Sequence, residues 1–301
     1  MRDHGLFGPD SVTWRIHAHR SMLIGGLRAL LVQALEPRAM AAVDQHSAFR
    51  RDPWARLGRT SEYLISTTFG DTTAAEKAGA RVRALHAKVA GVDPVTGRPY
   101  RADDPELLVW VHAVEVDSFL ATYQAYGGRL SQSDADRYVT EMVRAAELVG
   151  LAADEVPASV PELRAYLAGV RGLCVSETTR AAMRTLLAPP MPARLRPLWA
   201  VVVAAAVGIL PPRARELYGL PWPAPAMAVV RPAVHALIRA LDLTVPRHPM
   251  VRRALAEAQR NPRSAGPGAC SNSGSRSTTD CHAIEAGSRN SKWPIPGSST
   301  S

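Results

Sequence analysis

Apolar and polar residues recur with a helical period along most of the chain. Alanine and leucine dominate the apolar positions, and no long run alternates β-branched with polar residues, so the pattern predicts helices. Ser, Asp or Pro opens the segments DSVTWRIHAH, DPWARLGRTSEYLI and DDPELLVWVHAV, and Gly70, Gly91, Gly127 and Gly150 close others. We expect an all-α protein with about ten helices.

The chain has 301 residues, of which 47% are hydrophobic, and this is enough for a substantial core. No fixed-period repeat is visible, and the turn-rich segment GVDPVTGRPYRADDP, residues 91–105, connects two strong helical patterns. We therefore predict one helical domain over residues 1–260. Residues 261–301 are rich in Ser, Gly and Pro without periodicity, which predicts a disordered low-complexity tail.

Three features bear on the compartment of the protein. The most apolar run, Leu198 to Leu210, is shorter than the roughly 18 residues that a membrane span needs, so we expect a buried helix and no transmembrane segment. The N-terminal residues lack the apolar core of a signal peptide. Cys174, in a predicted helical segment, and Cys270 and Cys281, in the tail, form neither a disulfide framework nor a zinc pattern. We expect a cytoplasmic protein.

The formal charge of +9 is concentrated near the C-terminus. Residues 247–301 contain eight Arg and Lys and three acidic residues, which gives +5 and leaves +4 for the rest of the chain. No basic patch with interleaved aromatic residues accompanies this charge. We expect no nucleic-acid partner, whereas peripheral contact of the basic tail with a membrane surface remains an alternative.

The first candidate functional residues lie in the stretch ARLGRT, residues 55–60. Arg56, Thr60 and Tyr63 fall at i, i+4 and i+7 and share a helical face, with Arg59 beside them. In one interpretation both arginines lie on the surface and pair with acids such as Asp52 or Glu62. In the other, their guanidinium groups line a pocket that takes a carboxylate or a bound oxygen species.

Two histidines are further candidates. In RVRALHAKVAG, His86 shares an apolar helical face with Gly79, Val82 and Val89, so it is either a core histidine or a metal or haem ligand. His112 and Glu115 lie at i and i+3 and could face one cavity. A di-iron bundle would need Glu-x-x-His on two helices, and no Glu in the chain has His three residues later.

Several segments together resemble the family of MpaB-like proteins and rubber oxygenase catalytic domains: FGPDSVTWRIHAH, QHSAFRRDPWARLGRTSEYLISTTFG, VRALHAKVAG, YRADDPELLVWVHAVEVDSFLATYQAYG and LPPRARELYGLPW. The resemblance covers about residues 5–245. It implies an all-α fold with a globin-related core, one b-type haem, and oxidative cleavage of carbon-carbon double bonds with dioxygen as co-substrate. A C-x-x-C-H motif for covalent attachment is missing from the sequence, so the haem would be held non-covalently.

The resemblance also assigns site residues. The family pattern Arg-x-x-Lys-Thr falls on Arg56, Arg59 and Thr60, the predicted catalytic residues, and the proximal haem histidine falls on His86, the predicted metal ligand. Arg59 replaces the lysine of the rubber-cleaving members, and a guanidinium is a poor iron ligand where an amine is a competent one. Arg56, Thr60, Tyr63 and His112 complete the predicted cofactor-binding set.

These observations predict a haem-dependent oxygenase that acts on a small or lipidic apolar substrate. His86 would bind iron, and Arg56, Arg59 and Thr60 would stabilise bound oxygen or a haem propionate. The alternative is a non-catalytic helical protein that binds haem or another hydrophobic ligand.

Overall fold

The computed structural model describes residues 3–49, 51–223 and 225–260. Over these residues the fold is all-α, as predicted, with thirteen α-helices rather than about ten. In chain order they are α1 (Val12–His17), α2 (Met22–Gln33), α3 (Pro37–His46), α4 (Pro53–Phe69), α5 (Thr72–His86), α6 (Pro105–Tyr126), α7 (Gln132–Val149), α8 (Val160–Gly169), α9 (Glu177–Leu187), α10 (Arg196–Gly208), α11 (Pro212–Tyr218), α12 (Ala226–Thr244) and α13 (Pro249–Arg260). The predicted tail, 261–301, lies outside the described residues.

Helix α6 is the centre of the fold, since its buried residues belong to two hydrophobic clusters. Trp110 and Val114 pack in a cluster with α2, α9, α10 and α12, whereas Val116 and Phe119 pack in a second cluster with α1, α7 and α8. Helix α6 has apolar residues on most sides and is buried on most sides. The two halves of the core are therefore joined through α6.

A buried ion pair ties three of these helices together. Arg28 of α2 is 4% exposed and its Nη2 lies 2.7 Å from the Asp117 carboxylate of α6. Its Nη1 donates to Ser118 Oγ at 2.6 Å, and its Nε donates to the carbonyl of Ile209, just after α10, at 2.9 Å. Such complete pairing compensates much of the cost of burying the charge.

The predicted connection over 91–105 contains a small antiparallel hairpin that the sequence pattern did not reveal. Strands β1 (Ala90–Val92) and β2 (Pro99–Arg101) pair with each other. Asp93 closes the turn, because its carboxylate accepts hydrogen bonds from the backbone N–H groups of Val95 and Thr96 at 3.0 Å each. The turn residues had indicated only a loop, since these strands are too short for an alternating pattern.

The region before α9 corrects a second prediction. Helix α8 ends at Gly169, so Cys174 lies in an irregular segment and not in a helix. Gly172 in this segment has φ of 76°, a left-handed conformation that interrupts helical continuation. The segment is anchored by the Cys174 N–H, which donates to the carbonyl of Leu35 at 2.9 Å.

Across the described ranges, no single helix is both long enough and apolar enough to cross a membrane. One bent pair, Ala193–Gly208 with Pro212–Tyr218, meets the length and composition test when the two parts are combined, with a bend of 118° between them.

Candidate functional site

Helix α4 begins at Pro53 because the sequence supplies both a cap and a suitable first residue. The Asp52 carboxylate accepts a hydrogen bond from the Ala55 N–H at 2.9 Å, and Pro53 occupies the first turn, where no N–H is required. The C-terminal end of α4 is buried through Thr67, Thr68 and Phe69. Its N-terminal half instead borders two cavities.

We call the larger of these the inner cavity. Together with its open mouth it has a volume of about 880 Å³. Helices α2, α3, α4, α5, α6 and α9 contribute to its wall. The lining residues are Leu30, Gln33, Ala34, Ala39, Met40, Ala42, Val43, Phe49, Arg56, His86, Ala102, Leu107, Leu108, Val111, Ala182 and Leu186.

The adjoining space, which we call the middle cavity, measures about 500 Å³. Leu30, Phe49, Arg56 and Leu186 line both cavities. The lining residues of the middle cavity are Leu23, Leu27, Leu30, Phe49, Pro53, Trp54, Arg56, Leu57, Thr60, Thr185, Leu186, Pro189 and Trp199. Its wall is therefore apolar except near Arg56 and the threonines.

Arg56 is partly buried, and among the described residues it has neither an ion-pair nor a hydrogen-bond partner for its guanidinium. Burial, and to a lesser extent the nearby charge of Arg59, lowers the pKa of Arg56 below its ordinary value. An arginine nonetheless stays charged at neutral pH. The two cavities therefore meet at a positive charge that no protein group in the described structure neutralises.

The surface ion pairs considered for these arginines do not form. Asp52 is used to cap α4, and the Glu62 carboxylate lies 3.6 Å from His248. Arg59 is solvent-exposed and lines neither cavity. Thr60 is exposed on the middle cavity, and its hydroxyl donates to the carbonyl of Arg56 at 3.2 Å.

His86 is brought to the inner cavity together with Arg56. The helix that carries it, α5, packs its middle closely on α7, since a Cβ at Gly79 would lie 2.7 Å from the carbonyl of Leu148. The ring atom Nδ1 of His86 is buried and has no hydrogen-bond partner within the described part of the chain. Burial lowers the pKa of His86, against a smaller opposing effect of the Asp103 carboxylate, so a neutral imidazole faces the cavity region.

Tyr63 and His112 are not brought to either cavity. Burial, together with the Glu115 carboxylate, raises the pKa of Tyr63 above its ordinary value. His112 is 8% exposed, and burial lowers its pKa to about 4, whereas burial raises the pKa of Glu115 to about 7. From α6, the residues that line the inner cavity are Leu107, Leu108 and Val111.

The sequence reasoning missed the aromatic residues of this site. Phe49 lines both cavities, and Trp54 and Trp199 line the middle one with their rings in edge contact, 5.4 Å between centroids. Phe49 and Trp54 flank the start of α4 and could have been found as its neighbours. Trp199, from α10, comes from a distant part of the chain, and no local pattern indicates it.

No group of three or more His, Cys, Asp or Glu side chains that could hold a metal ion occurs within residues 3–49, 51–223 and 225–260. A single imidazole such as His86 is instead the donor set that a haem iron uses, because the porphyrin supplies the remaining ligands. The residues present at the inner cavity therefore fit a haem better than a free metal ion.

Comparison with known protein families gives one match. The model of the family described as "ER-bound oxygenase mpaB/B'/Rubber oxygenase, catalytic domain" matches residues 14–241. This range includes both cavities and every residue predicted for the site. No curated protein and no solved structure matches the chain.

Proposed function

Because the chain belongs to the family of mpaB/B' and rubber oxygenase catalytic domains, we propose that it is a haem-dependent oxygenase. In this proposal it uses dioxygen to oxidise or cleave an apolar, alkene-bearing small or lipidic substrate. The observation that carries the proposal is the meeting of His86 and Arg56 on one largely apolar cavity. Nδ1 of His86 is buried, and Arg56 is partly buried. Neither the His86 Nδ1 nor the Arg56 guanidinium has a protein partner in the described structure.

The chemistry of the donor set supports a b-type haem in the inner cavity. A haem is a broad apolar ring that carries two carboxylates and needs an axial ligand. His86 offers a neutral imidazole with an unpartnered buried nitrogen, and such a nitrogen is costly to leave unsatisfied. Arg56 offers an unpaired guanidinium, which binds a carboxylate through two parallel hydrogen bonds. In this proposal His86 would hold the haem iron, and Arg56 would bind a haem carboxylate.

When bound, the haem supplies the redox chemistry that activates dioxygen. The chain's own residues position the reactants and control the local charge. Apolar side chains such as Phe49 and Leu186 exclude water from both cavities. Arg56 holds hydrogen-bond donors at the junction of the cavities, where they can stabilise a propionate or negative charge that develops on oxygen.

Arg59 and Thr60 have supporting roles in this proposal. Thr60 presents a hydroxyl to the middle cavity. Because its proton is donated to the Arg56 carbonyl, its oxygen can accept a hydrogen bond from a polar group of the substrate. Arg59 adds positive charge close to Arg56, as its effect on the Arg56 pKa indicates. Since a guanidinium does not give up its proton at neutral pH, Arg59 acts electrostatically and not as a general base.

A haem titration of purified protein tests the proposal. We expect His86→Ala to abolish stoichiometric haem uptake, measured from the Soret absorbance, because the axial ligand is removed. The matched control is His235→Ala, which changes an exposed histidine of α12 and should leave uptake unchanged. Circular dichroism of the apo proteins establishes that both variants are folded.

Two outcomes would contradict the proposal. An unchanged Soret spectrum in folded His86→Ala would refute His86 as the ligand. If the wild-type protein binds haem but consumes no oxygen with any alkene-bearing lipid, the non-catalytic binding protein becomes the correct description.

A further inference from the structure

A third cavity adjoins the middle one, and we call it the outer groove. It measures about 1220 Å³ including its open mouth. Pro189 and Trp199 line both the middle cavity and the outer groove. The inner cavity, the middle cavity and the outer groove therefore adjoin in series, and apolar side chains dominate the wall of each.

The two tryptophans at this junction are held in different ways. Trp54 Nε1 donates to the carbonyl of Pro190 at 2.7 Å, which fixes its ring. Trp199 Nε1 is buried, and no hydrogen-bond partner for it exists in the part of the chain that the structure describes. Buried indole N–H groups usually find a partner. Trp199 is thus held by packing alone, and its movement would break no hydrogen bond.

Arg196 gives the wall of the outer groove a positive charge. It is the first residue of α10, it is exposed, and among the described lining residues it is the charged one. The structure describes no ion-pair partner for it. An apolar groove with one unpaired cation at an exposed position is complementary to a molecule with an apolar chain and an anionic end.

We propose that the outer groove binds the carboxylate end of a long-chain aliphatic acid at Arg196, with the chain passing Trp199 toward the middle cavity. Trp199 then determines how far the chain reaches and which chain lengths fit. This inference rests on the proposed function in one respect, namely that the part of the aliphatic chain inside the cavities is oxidised. Binding of the acid itself requires no haem.

Ligand binding to the apo protein tests the role of the Arg196 charge. Oleate and oleyl alcohol share a chain and differ at the head group, so their affinities are compared by displacement of a fluorescent fatty-acid probe at concentrations where both ligands are monomeric. We expect Arg196→Gln to weaken oleate binding by about five-fold, the upper range for an exposed ion pair, and to leave oleyl alcohol unchanged. Arg194→Gln is the matched control, because this exposed neighbour does not line the groove.

Binding of oleate and decanoate tests the role of Trp199. We expect Trp199→Ala to change the ratio of their affinities several-fold, since a truncated side chain opens the junction to the longer chain. The matched control is Leu198→Ala, which should leave the ratio unchanged, because this exposed residue of α10 lines neither the middle cavity nor the outer groove. Intrinsic tryptophan fluorescence provides an independent reading of the same binding.

The inference is overturned if the wild-type apo protein does not bind oleate, if the two arginine variants behave alike, or if Trp199→Ala leaves the chain-length ratio unchanged. Any of these results together with normal haem uptake and oxygen consumption refutes the inference alone. Oleate binding with the expected variant effects in a protein that takes up no haem refutes the proposed function alone.

Discussion

Arg28 and Arg56 lie in two regions of the molecule that treat a buried or partly buried charge in opposite ways. In the core between α2, α6 and α10, Arg28 pairs with Asp117 and donates to Ser118 and to the carbonyl of Ile209. At the junction of the cavities, Arg56 has no such partner in the described structure, and burial lowers its pKa. The first arrangement serves the fold, whereas the second leaves hydrogen-bond donors unused, as the proposed haem site requires.

Two histidines repeat the contrast. Both ring nitrogens of His17 are occupied, since Nδ1 lies 3.0 Å from Thr68 Oγ1 and Nε2 lies 2.9 Å from the Tyr138 hydroxyl. His86 leaves its buried Nδ1 without a partner among the residues described. Leaving a buried polar group unsatisfied costs stability, and the haem site proposed above would give His86 the partner that it lacks.

The largest expected effect is on the paired arginine. Arg28→Met leaves Asp117 and the buried Ser118 hydroxyl without their partner, so we expect the free energy of unfolding to fall by about 3 kcal/mol. Urea denaturation followed by circular dichroism measures this change.

The control is the double variant Arg28→Met with Asp117→Leu, which removes both charges. It should recover part of the lost stability, because no unpaired carboxylate remains. If Arg28→Met lowers the free energy of unfolding by less than about 1 kcal/mol, the ion pair and hydrogen bonds of Arg28 do not stabilise the fold substantially.

The next effect is the pH dependence that His17 contributes. Burial lowers its pKa to about 3, below the ordinary value of 6.5. Below pH 6.5 the unfolded chain therefore binds a proton that the folded protein does not. Above pH 6.5, neutral His17 makes its full contribution to the free energy of unfolding. This contribution is lost as pH falls toward 3, and roughly 1 to 2 kcal/mol of it is lost between pH 7 and pH 5.

The measurement compares wild type with His17→Gln, which keeps hydrogen-bonding capacity but does not titrate. The stability of the wild type relative to the variant should decline by that amount from pH 7 to pH 5. A difference that stays constant with pH would show that His17 is not kept neutral by the fold. Buried His112, whose pKa is lowered to about 4, is present in both proteins and cancels.

Local periodicity predicted much of the helical fold because capping and amphipathic faces are short-range properties. The predicted helical face of Gly79, Val82, His86 and Val89 is only partly on α5, because the helix ends at His86. The structure brings His86 to the inner cavity. The pairing of Arg28 with Asp117 could not be predicted, since it joins helices far apart in the chain.

The candidate site shows where helical spacing alone is insufficient. Arg56, Thr60 and Tyr63 share a face by spacing, yet only the first two line the cavities. The direction of the His112 side chain could not be predicted from the sequence, because α6 is buried on nearly every side. Its apolar residues therefore could not indicate which face borders a cavity, and the structure places Val111 there.

The smallest expected effect, and the sharpest test of the contrast, is on the unpaired arginine. Arg56→Met removes a poorly solvated charge and keeps an apolar chain of similar shape, so we expect the free energy of unfolding of the apo protein to stay within about 0.5 kcal/mol of wild type or to rise. Urea denaturation under the conditions used for Arg28→Met makes the two values directly comparable. A loss approaching that of Arg28→Met would mean that Arg56 also serves the fold. If Arg56→Met weakens haem uptake without changing the free energy of unfolding, Arg56 serves ligand binding, whereas Arg28 stabilises the fold.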